Sequence, residues 1–297
     1  MLGKRARGAL PGCLLASVLA LAGCGSGGTP SAHHRSSGHT KPFEVVPGPA
    51  GLRSSGPPQP NGMVWMLAGT PKDRTINEVN LVSKIQRQVV GVSSNARAVT
   101  QSSTGLIALG LATRRTGAVE LLSGSAGSVD ATVPVSDPVL ALAFGDDGTT
   151  LYVLEGAGQV RAVAIVDTVK HKLERTIGLP SDAVGIVPTP DQKAIWSVQS
   201  SGVVQKTALT NDKPITAFPT SGPGIAITLS PNGGTLYVLK GTRATANIAV
   251  LSTATEIQKE ALPAASDSVG LGISLDWSEL YDPAGTATYG NIQILNL

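Results

Sequence analysis

Short apolar runs separated by turn residues recur along most of the chain. One stretch contains four of them, at Leu140–Phe144, Leu151–Leu154, Val160–Val166 and Leu173–Ile177. They are rich in Val, Ile and Leu and are bounded by Gly, Asp or Pro, which is typical of β-strands. The apolar positions of residues 167–177 fit the 3.6-residue period of a helix poorly. This stretch therefore predicts four consecutive short strands.

The same four-strand unit repeats along the sequence. An apolar or aromatic residue just after a turn marks each unit, and successive markers lie 41 to 44 residues apart. Of the ten aromatic residues, five occupy this position, which chance does not easily explain. Four strands in a repeat of this length are typical of one β-propeller blade. The markers are Trp65, Ala108, Tyr152, Trp196, Tyr237 and Tyr281.

The ends of the chain predict how the ring closes. The last repeat stops after its third strand, Tyr289–Leu297, and lacks a fourth. The segment Phe43–Val46 has the composition of a spare fourth strand. Pairing the two would cover an open sheet edge, which is otherwise an aggregation hazard. The prediction for residues 43–297 is therefore an all-β propeller of six four-stranded blades, with the N-terminal strand completing the last blade.

Two segments resemble a known repeat. Residues 146–153 (DDGTTLYV) and 230–238 (SPNGGTLYV) resemble the YVTN-type β-propeller repeat. That family includes extracytoplasmic binding proteins and is similar in fold to some lactonases. Its members commonly have seven blades, so the resemblance leaves seven as an alternative count. Fold alone does not assign a function.

The first residues are typical of an export signal. Lys4, Arg5 and Arg7 precede an apolar run at Cys13–Ala22, which is too short to span a bilayer. The ending Leu21-Ala22-Gly23-Cys24 resembles the lipobox of bacterial lipoproteins. By that resemblance, residues 1–23 are a lipoprotein signal peptide and Cys24 carries the lipid. The expected location is extracytoplasmic, anchored to the bacterial cell membrane.

Composition extends this interpretation. Residues 24–42 are rich in Gly, Ser, Thr and His, which predicts a flexible tether between Cys24 and the propeller. Cys13 leaves with the signal, so the exported domain has no cysteine for a disulfide. Removing Lys4, Arg5 and Arg7 leaves 20 basic and 20 acidic residues, and aromatic residues make up only 3% of the chain. A nucleic-acid partner is therefore not expected.

The residues give little support for catalysis. His171 is the only histidine of the predicted domain, and it falls in an expected hairpin between a third and a fourth strand. The sequence contains no HExxH, P-loop, dinucleotide fingerprint or GxSxG motif. Most nucleophilic and zinc enzymes are disfavoured, and enzymatic activity is left open rather than expected.

Three aspartates occupy one phase of the repeat. Asp137, Asp182 and Asp267 lie 14 or 15 residues before their markers, in the predicted loops that lead to the innermost strands. They could ring one mouth of the central channel and hold Ca²⁺ or Mg²⁺. Alternatively, each carboxylate accepts hydrogen bonds in its own turn. The first interpretation would allow a divalent-metal-dependent, lactonase-like hydrolase.

Basic residues concentrate in the predicted loops between second and third strands, which should open on the same face. Their arginines could bind a small anionic ligand or a protein, because a guanidinium pairs with carboxylate or phosphate. Alternatively, these side chains form a solvated rim. The first functional hypothesis is a membrane-anchored binding module, with the hydrolase and an envelope assembly scaffold as alternatives. The arginines are Arg74, Arg114, Arg115 and Arg243.

Overall fold

A computed structural model describes residues 43–48, 54–55, 57, 59, 62–70, 72–123, 128–242, 244–274, 276–286 and 289–297. Cys24, the predicted signal peptide, the predicted tether and Arg243 lie outside these residues. Over the described part of the chain, no helix is long and apolar enough to cross a membrane.

The described residues form six four-stranded antiparallel sheets, which confirms the six-bladed propeller. Within each blade, the strands are given in the order in which they pair. The first blade contains β2 (Ser54–Ser55), β3 (Met63–Gly69), β4 (Arg74–Asn80) and β5 (Ile85–Gly91); the second contains β6 (Ala96–Gln101), β7 (Ile107–Ala112), β8 (Gly117–Ser123) and β9 (Ser128–Val135); and the third contains β10 (Val139–Phe144), β11 (Thr150–Glu155), β12 (Arg161–Asp167) and β13 (Lys172–Leu179). The fourth blade contains β14 (Ala183–Pro188), β15 (Ala194–Gln199), β16 (Val203–Ala208) and β17 (Pro214–Pro219); the fifth contains β18 (Gly224–Leu229), β19 (Thr235–Lys240), β20 (Asn247–Ser252) and β21 (Gln258–Pro263); and the last contains β22 (Gly272–Ile273), β23 (Glu279–Gly285), β24 (Gly290–Asn296) and β1 (Phe43–Gly48).

The N-terminal strand completes the last blade, as predicted. β1 pairs antiparallel with β24, from Phe43 opposite Leu295 to Gly48 opposite Gly290. The first blade begins directly afterwards at β2. The last sheet therefore joins the two ends of the domain, and the backbone edge of β24 is covered.

The repeat markers form the packing between blades. All six are buried, and each lies on the second strand of its blade. Trp196 packs with Leu236 and Val238 of the following blade, and the other markers make equivalent contacts. Tyr281 of the last blade packs with Val64 and Met66 of the first, which closes the ring. The spacing of the markers in the sequence therefore arises from one large side chain at each blade interface, except at Ala108, where the side chain is small.

The loops alternate between two faces of the disc. The upper face is formed by the loops between second and third strands, such as residues 113–116, and by the loops between blades, such as residues 136–138. We call lower the face formed by the turns between first and second strands and between third and fourth strands, such as 145–149 and 168–171. β24 ends on the lower face, so antiparallel β1 begins there, at Phe43.

Candidate functional site

The side chains that line the central channel are mainly apolar. A cavity of about 150 Å³ in the channel is lined by residues 97–99, 140–142, 184–186, 225–227 and 269–271 of five blades. Arg97 is the only charged residue among them. This wall offers no carboxylate to a cation.

The three aspartates lie in the inter-blade loops of the upper face, as predicted, but they do not form a ring. In the part of the chain that the structure describes, no group of three His, Cys, Asp or Glu side chains is placed to hold a metal ion. Ser201 N donates to Asp182 Oδ2 at 3.0 Å, and Tyr289 Oη donates to Asp267 Oδ2 at 3.0 Å. Bonds within their own blades therefore orient both carboxylates, which favours the alternative that each aspartate serves its own turn.

Hydrogen bonding also favours the charged form of one of these carboxyls. Partial burial acts to raise the pKa of Asp182, but hydrogen bonds from Ser201 and the charge of Arg161 outweigh it and lower the pKa. Asp137 is held differently, because its backbone nitrogen donates to Glu155 Oε2 at 3.0 Å. Burial raises the pKa of Glu155. These acids stabilise loops that lead into inner strands.

The four predicted arginines have different environments. Arg74 is buried, with 5% of its surface exposed, and its Nη1 donates to Gly69 O at 2.9 Å across the loop it closes. This contact stabilises its own loop, and Arg74 also lines a cavity of about 490 Å³ together with Lys72 and Asp73. Arg114 and Arg115 are exposed at the tip of an upper-face loop. Arg243 is outside the described residues.

The loop that carries Arg114 is a short ordered turn. Thr113 N donates to Thr116 O at 2.9 Å, and Thr113 Oγ1 accepts hydrogen bonds from the backbone nitrogens of Arg115 and Thr116. A Thr hydroxyl that binds the backbone in this way fixes a turn locally. The turn joins two strands of one sheet, so the backbone that carries Arg114 is held at both ends.

Arg97 is a site residue that the sequence reasoning missed. The register of β6 shifts between Ala96 and Ala98, and both alanines are buried while Arg97 between them is exposed. A bulge of this kind redirects the side chain of the extra residue. The inner strands of the next three blades have the same register shift, which places Leu140, Val184 and Ile225 at the equivalent position. Arg97 is the one charged residue in that series. It lies 11 residues before its marker and the other three lie 12 before theirs, so only an alignment that allows a one-residue gap would have revealed it.

Arg97 and Arg114 line the same cavity. It has a volume of about 590 Å³ on the upper face, between the second and third blades. Pro138, Val139 and Leu140 of the third blade form an apolar wall, and 38% of the Leu140 surface is exposed. Two guanidinium groups beside an apolar wall suit a ligand that combines an anionic group with an apolar part. Arg115, next in sequence, is not part of the lining.

A second cavity opens on the lower face around the channel. Its volume is about 440 Å³, and the ends of five inner strands line it with side chains such as Phe144, Leu229 and Ile273. Gln101 and Asp146 contribute polar groups. Burial raises the pKa of Asp146, and the neighbouring carboxylate of Asp147 adds to the effect. The two mouths of the channel thus differ, because arginines line a cavity only at the upper one in the described residues.

Comparison with known proteins extends the description of the fold. No family model and no curated protein matches the sequence. Among solved structures, the chain is similar to hydrazine synthase of Kuenenia stuttgartiensis, with a TM-score of 0.65 and 13% sequence identity over 83% of each chain. At this level of identity the likeness concerns the fold alone. The chain is accordingly a six-bladed β-propeller whose site must be interpreted from its own residues.

Proposed function

We propose that this protein is a membrane-anchored, extracytoplasmic binding module that holds an anionic ligand, or an acidic group of a partner protein, in its upper-face cavity. The observation that carries the proposal is the cavity between the second and third blades, which Arg97, Arg114 and the apolar segment 138–140 line together. Arginine pairs with carboxylate and phosphate through two parallel hydrogen bonds. The propeller would serve as a rigid support for variable loops.

The lipid anchor is a separate part of the proposal, and it rests on the sequence of residues 1–24. If Cys24 is acylated, the protein made in a bacterial host should sediment with membranes and carry the mass of the attached lipid. The variant Cys24→Ser should lose both properties. Soluble, unmodified protein from the parent sequence would contradict the anchor without affecting the binding site.

The binding site is tested by thermal unfolding of the intact protein with inorganic phosphate, pyrophosphate, citrate and an acidic peptide. A ligand at 100 times its Kd adds about 2.7 kcal/mol of stability. We expect a shift with at least one anion, and a loss of affinity of about tenfold or more in Arg97→Ala and Arg114→Ala. Arg115→Ala is the matched control, because it removes the same charge beside the cavity.

Equal losses in all three variants would indicate a general electrostatic effect and would contradict a defined site. A response to the acidic peptide alone would favour the assembly scaffold among the alternatives, because that role needs a protein ligand. Asp137, Asp182 and Asp267 form no three-residue metal site among the described side chains, which favours the binding module over the metal-dependent hydrolase.

A further inference from the structure

The lower face has one turn residue that the fold does not explain. In each blade, one residue of the turn between the first and second strands has a positive φ. Glycine fills this position in four blades, at Gly62, Gly105, Gly148 and Gly233, and Gln192 and Trp277 fill it in the other two. A left-handed backbone costs a residue with a side chain roughly 1–2 kcal/mol. A tryptophan with a φ of 66° is therefore unusual at this position.

The other exception has a structural role. Gln192 Oε1 accepts a hydrogen bond from Tyr152 Oη of the preceding blade at 3.2 Å. Trp277 instead has 41% of its surface exposed, whereas Trp65 and Trp196 are buried in the blade interfaces. Strained residues that the surrounding fold maintains are often functional. An exposed, strained tryptophan on the lower face therefore indicates a contact with something outside the domain.

Four hairpins on the same face add exposed apolar side chains at or beside their tips. The exposed fractions are 80% for Val82, 70% for Val169, 57% for Ile215 and 64% for Ile257. Each has an exposed lysine within two residues of it, and these are Lys84, Lys170, Lys213 and Lys259 respectively. Apolar side chains with a tryptophan and flanking lysines are typical of protein segments at a membrane surface.

The path of the chain favours a bilayer as the occupant of this face. β1 begins on the lower face at Phe43, so the residues between Cys24 and the propeller join the domain there. If residues 25–42 form the tether that the sequence predicts, their average reach as a flexible chain would be roughly 23 Å. This step rests on the proposed lipid anchor, which would hold the lower face closer to the bilayer than the upper face.

Charge is a minor contribution to this contact. Lys170 Nζ lies 2.6 Å from Asp167 Oδ2 and 3.8 Å from Glu174 Oε1, and both carboxylates offset its charge. Asp212 and Glu256 lie in two of the other hairpins. The driving force must come mainly from the apolar tips and the anchor, so binding should depend only weakly on anionic lipid.

We propose that the lower face lies on the membrane surface, with Trp277 and the apolar hairpin tips inserted at the interface, so that the Arg97–Arg114 cavity faces away from the bilayer. A lipid-anchored propeller would then present its ligand site outward in a fixed orientation.

Trp277 provides a direct readout, because it is the exposed one of the three tryptophans. The full lipidated protein is reconstituted on vesicles of phosphatidylcholine with one-fifth phosphatidylglycerol, with and without brominated phosphatidylcholine. We expect brominated lipid to quench the tryptophan fluorescence of the parent protein, and we expect this quenching to be lost in Trp277→Phe. Replacing phosphatidylglycerol with phosphatidylcholine should change the quenching little.

A second pair of variants tests the face as a whole. Val169→Asp with Ile257→Asp should abolish quenching of Trp277, whereas Val160→Asp, at a 59%-exposed valine of the upper face, should leave it unchanged. Thermal unfolding establishes that each variant is folded. Protein that sediments with vesicles while Trp277 remains fully accessible to aqueous acrylamide would overturn this inference and leave the anchor intact. Protein that does not sediment at all would contradict the anchor itself.

Discussion

Tyr281 of the last blade packs in one apolar cluster with Met66 of the first, so the two ends of the domain meet through side chains. The backbone makes the same connection, because β1 from the N-terminus pairs with β24 in the sheet that contains Tyr281. Closure of the ring therefore depends on a strand of six residues, Phe43–Gly48.

Removing that strand should destabilise the whole propeller. A chain that begins at residue 49 would expose the edge of β24, where backbone groups lose their partners and can pair with other molecules. We expect the unfolding midpoint to fall by about 10 °C or more, equivalent to roughly 3 kcal/mol, with aggregation on heating. A chain that begins at Lys41 keeps β1 and is the control. An unchanged midpoint and a monomeric truncated chain would show that β1 is dispensable.

The lower-face turns should tolerate a side chain poorly. Gly148 has a φ of 67°, and a Cβ there would lie 2.9 Å from Ser103 Oγ. Gly148→Ala should therefore lower the free energy of unfolding by about 1–2 kcal/mol. Gly178→Ala is the matched control, because Gly178 lies in β13 with open space around the added atom, and it should be neutral or slightly stabilising. Denaturant unfolding measures both, and equal effects would contradict the role of φ.

Asp282 should make stability depend on pH. Its side chain is fully buried, and Oδ2 accepts a hydrogen bond from Ala265 N at 2.6 Å. The Ser268 hydroxyl lies 2.6 Å from Ala265 O and 3.0 Å from Asp282 Oδ2, so its single proton can serve only one of them fully. A protonated carboxyl could donate to Ser268 and satisfy both. Burial raises the pKa of Asp282 to about 6, although both hydrogen bonds act to lower it.

The sign of the effect follows from the raised pKa. Between pH 4 and pH 6 the folded protein binds a proton at Asp282 that the unfolded chain has released, so stability falls as pH rises through this range. Asp282→Asn should remove this contribution. The free energy of unfolding of the variant should therefore rise by about 3 kcal/mol relative to that of the parent protein as the pH increases from 4 to 8. The pKa of Asp182 is lowered, so Asp182→Asn should show the opposite sign. A constant difference between Asp282→Asn and the parent across this range would contradict the raised pKa.

Asp137 should weaken anion binding at the proposed site. It immediately precedes Pro138, which lines the cavity together with Arg97 and Arg114. Asp137→Asn should raise the affinity for the best-binding anion about two- to fivefold at low salt, with a smaller gain at high salt. Calorimetric titration provides the measurement, and Asp182→Asn in the next blade is the control. A loss of affinity in Asp137→Asn would place the anion elsewhere.

The fold was predictable because one large side chain per blade leaves a period in the sequence. Tyr152, Trp196 and Tyr237 occupy equivalent buried positions in successive interfaces, so the spacing of such residues predicted the number of blades. The missing fourth strand of the last repeat predicted the pairing of β1 with β24 for the same reason. In a repeat protein, a contact between distant residues can be predicted because the equivalent contact occurs within each of the other repeats.

The site was less predictable because side-chain direction depends on details that residue type does not reveal. Arg74 and Arg114 both lie at the junction of a second and a third strand, but Arg74 is buried and bonded to a carbonyl of its own loop, whereas Arg114 is exposed beside the apolar segment 138–140. The exposure of Arg97 follows from a bulge in β6, which is a property of backbone pairing. The aspartates lie in the loops where the repeat placed them, but hydrogen bonds within each blade orient Asp182 and Asp267.

The most direct test of the proposed binding site is a crystal structure of the protein soaked with tungstate, an electron-dense analogue of phosphate and sulfate. The account predicts the strongest anomalous peak between the guanidinium groups of Arg97 and Arg114, beside Leu140, and its loss in Arg97→Ala crystals. Peaks elsewhere on the surface with none in this cavity would contradict an anion site there.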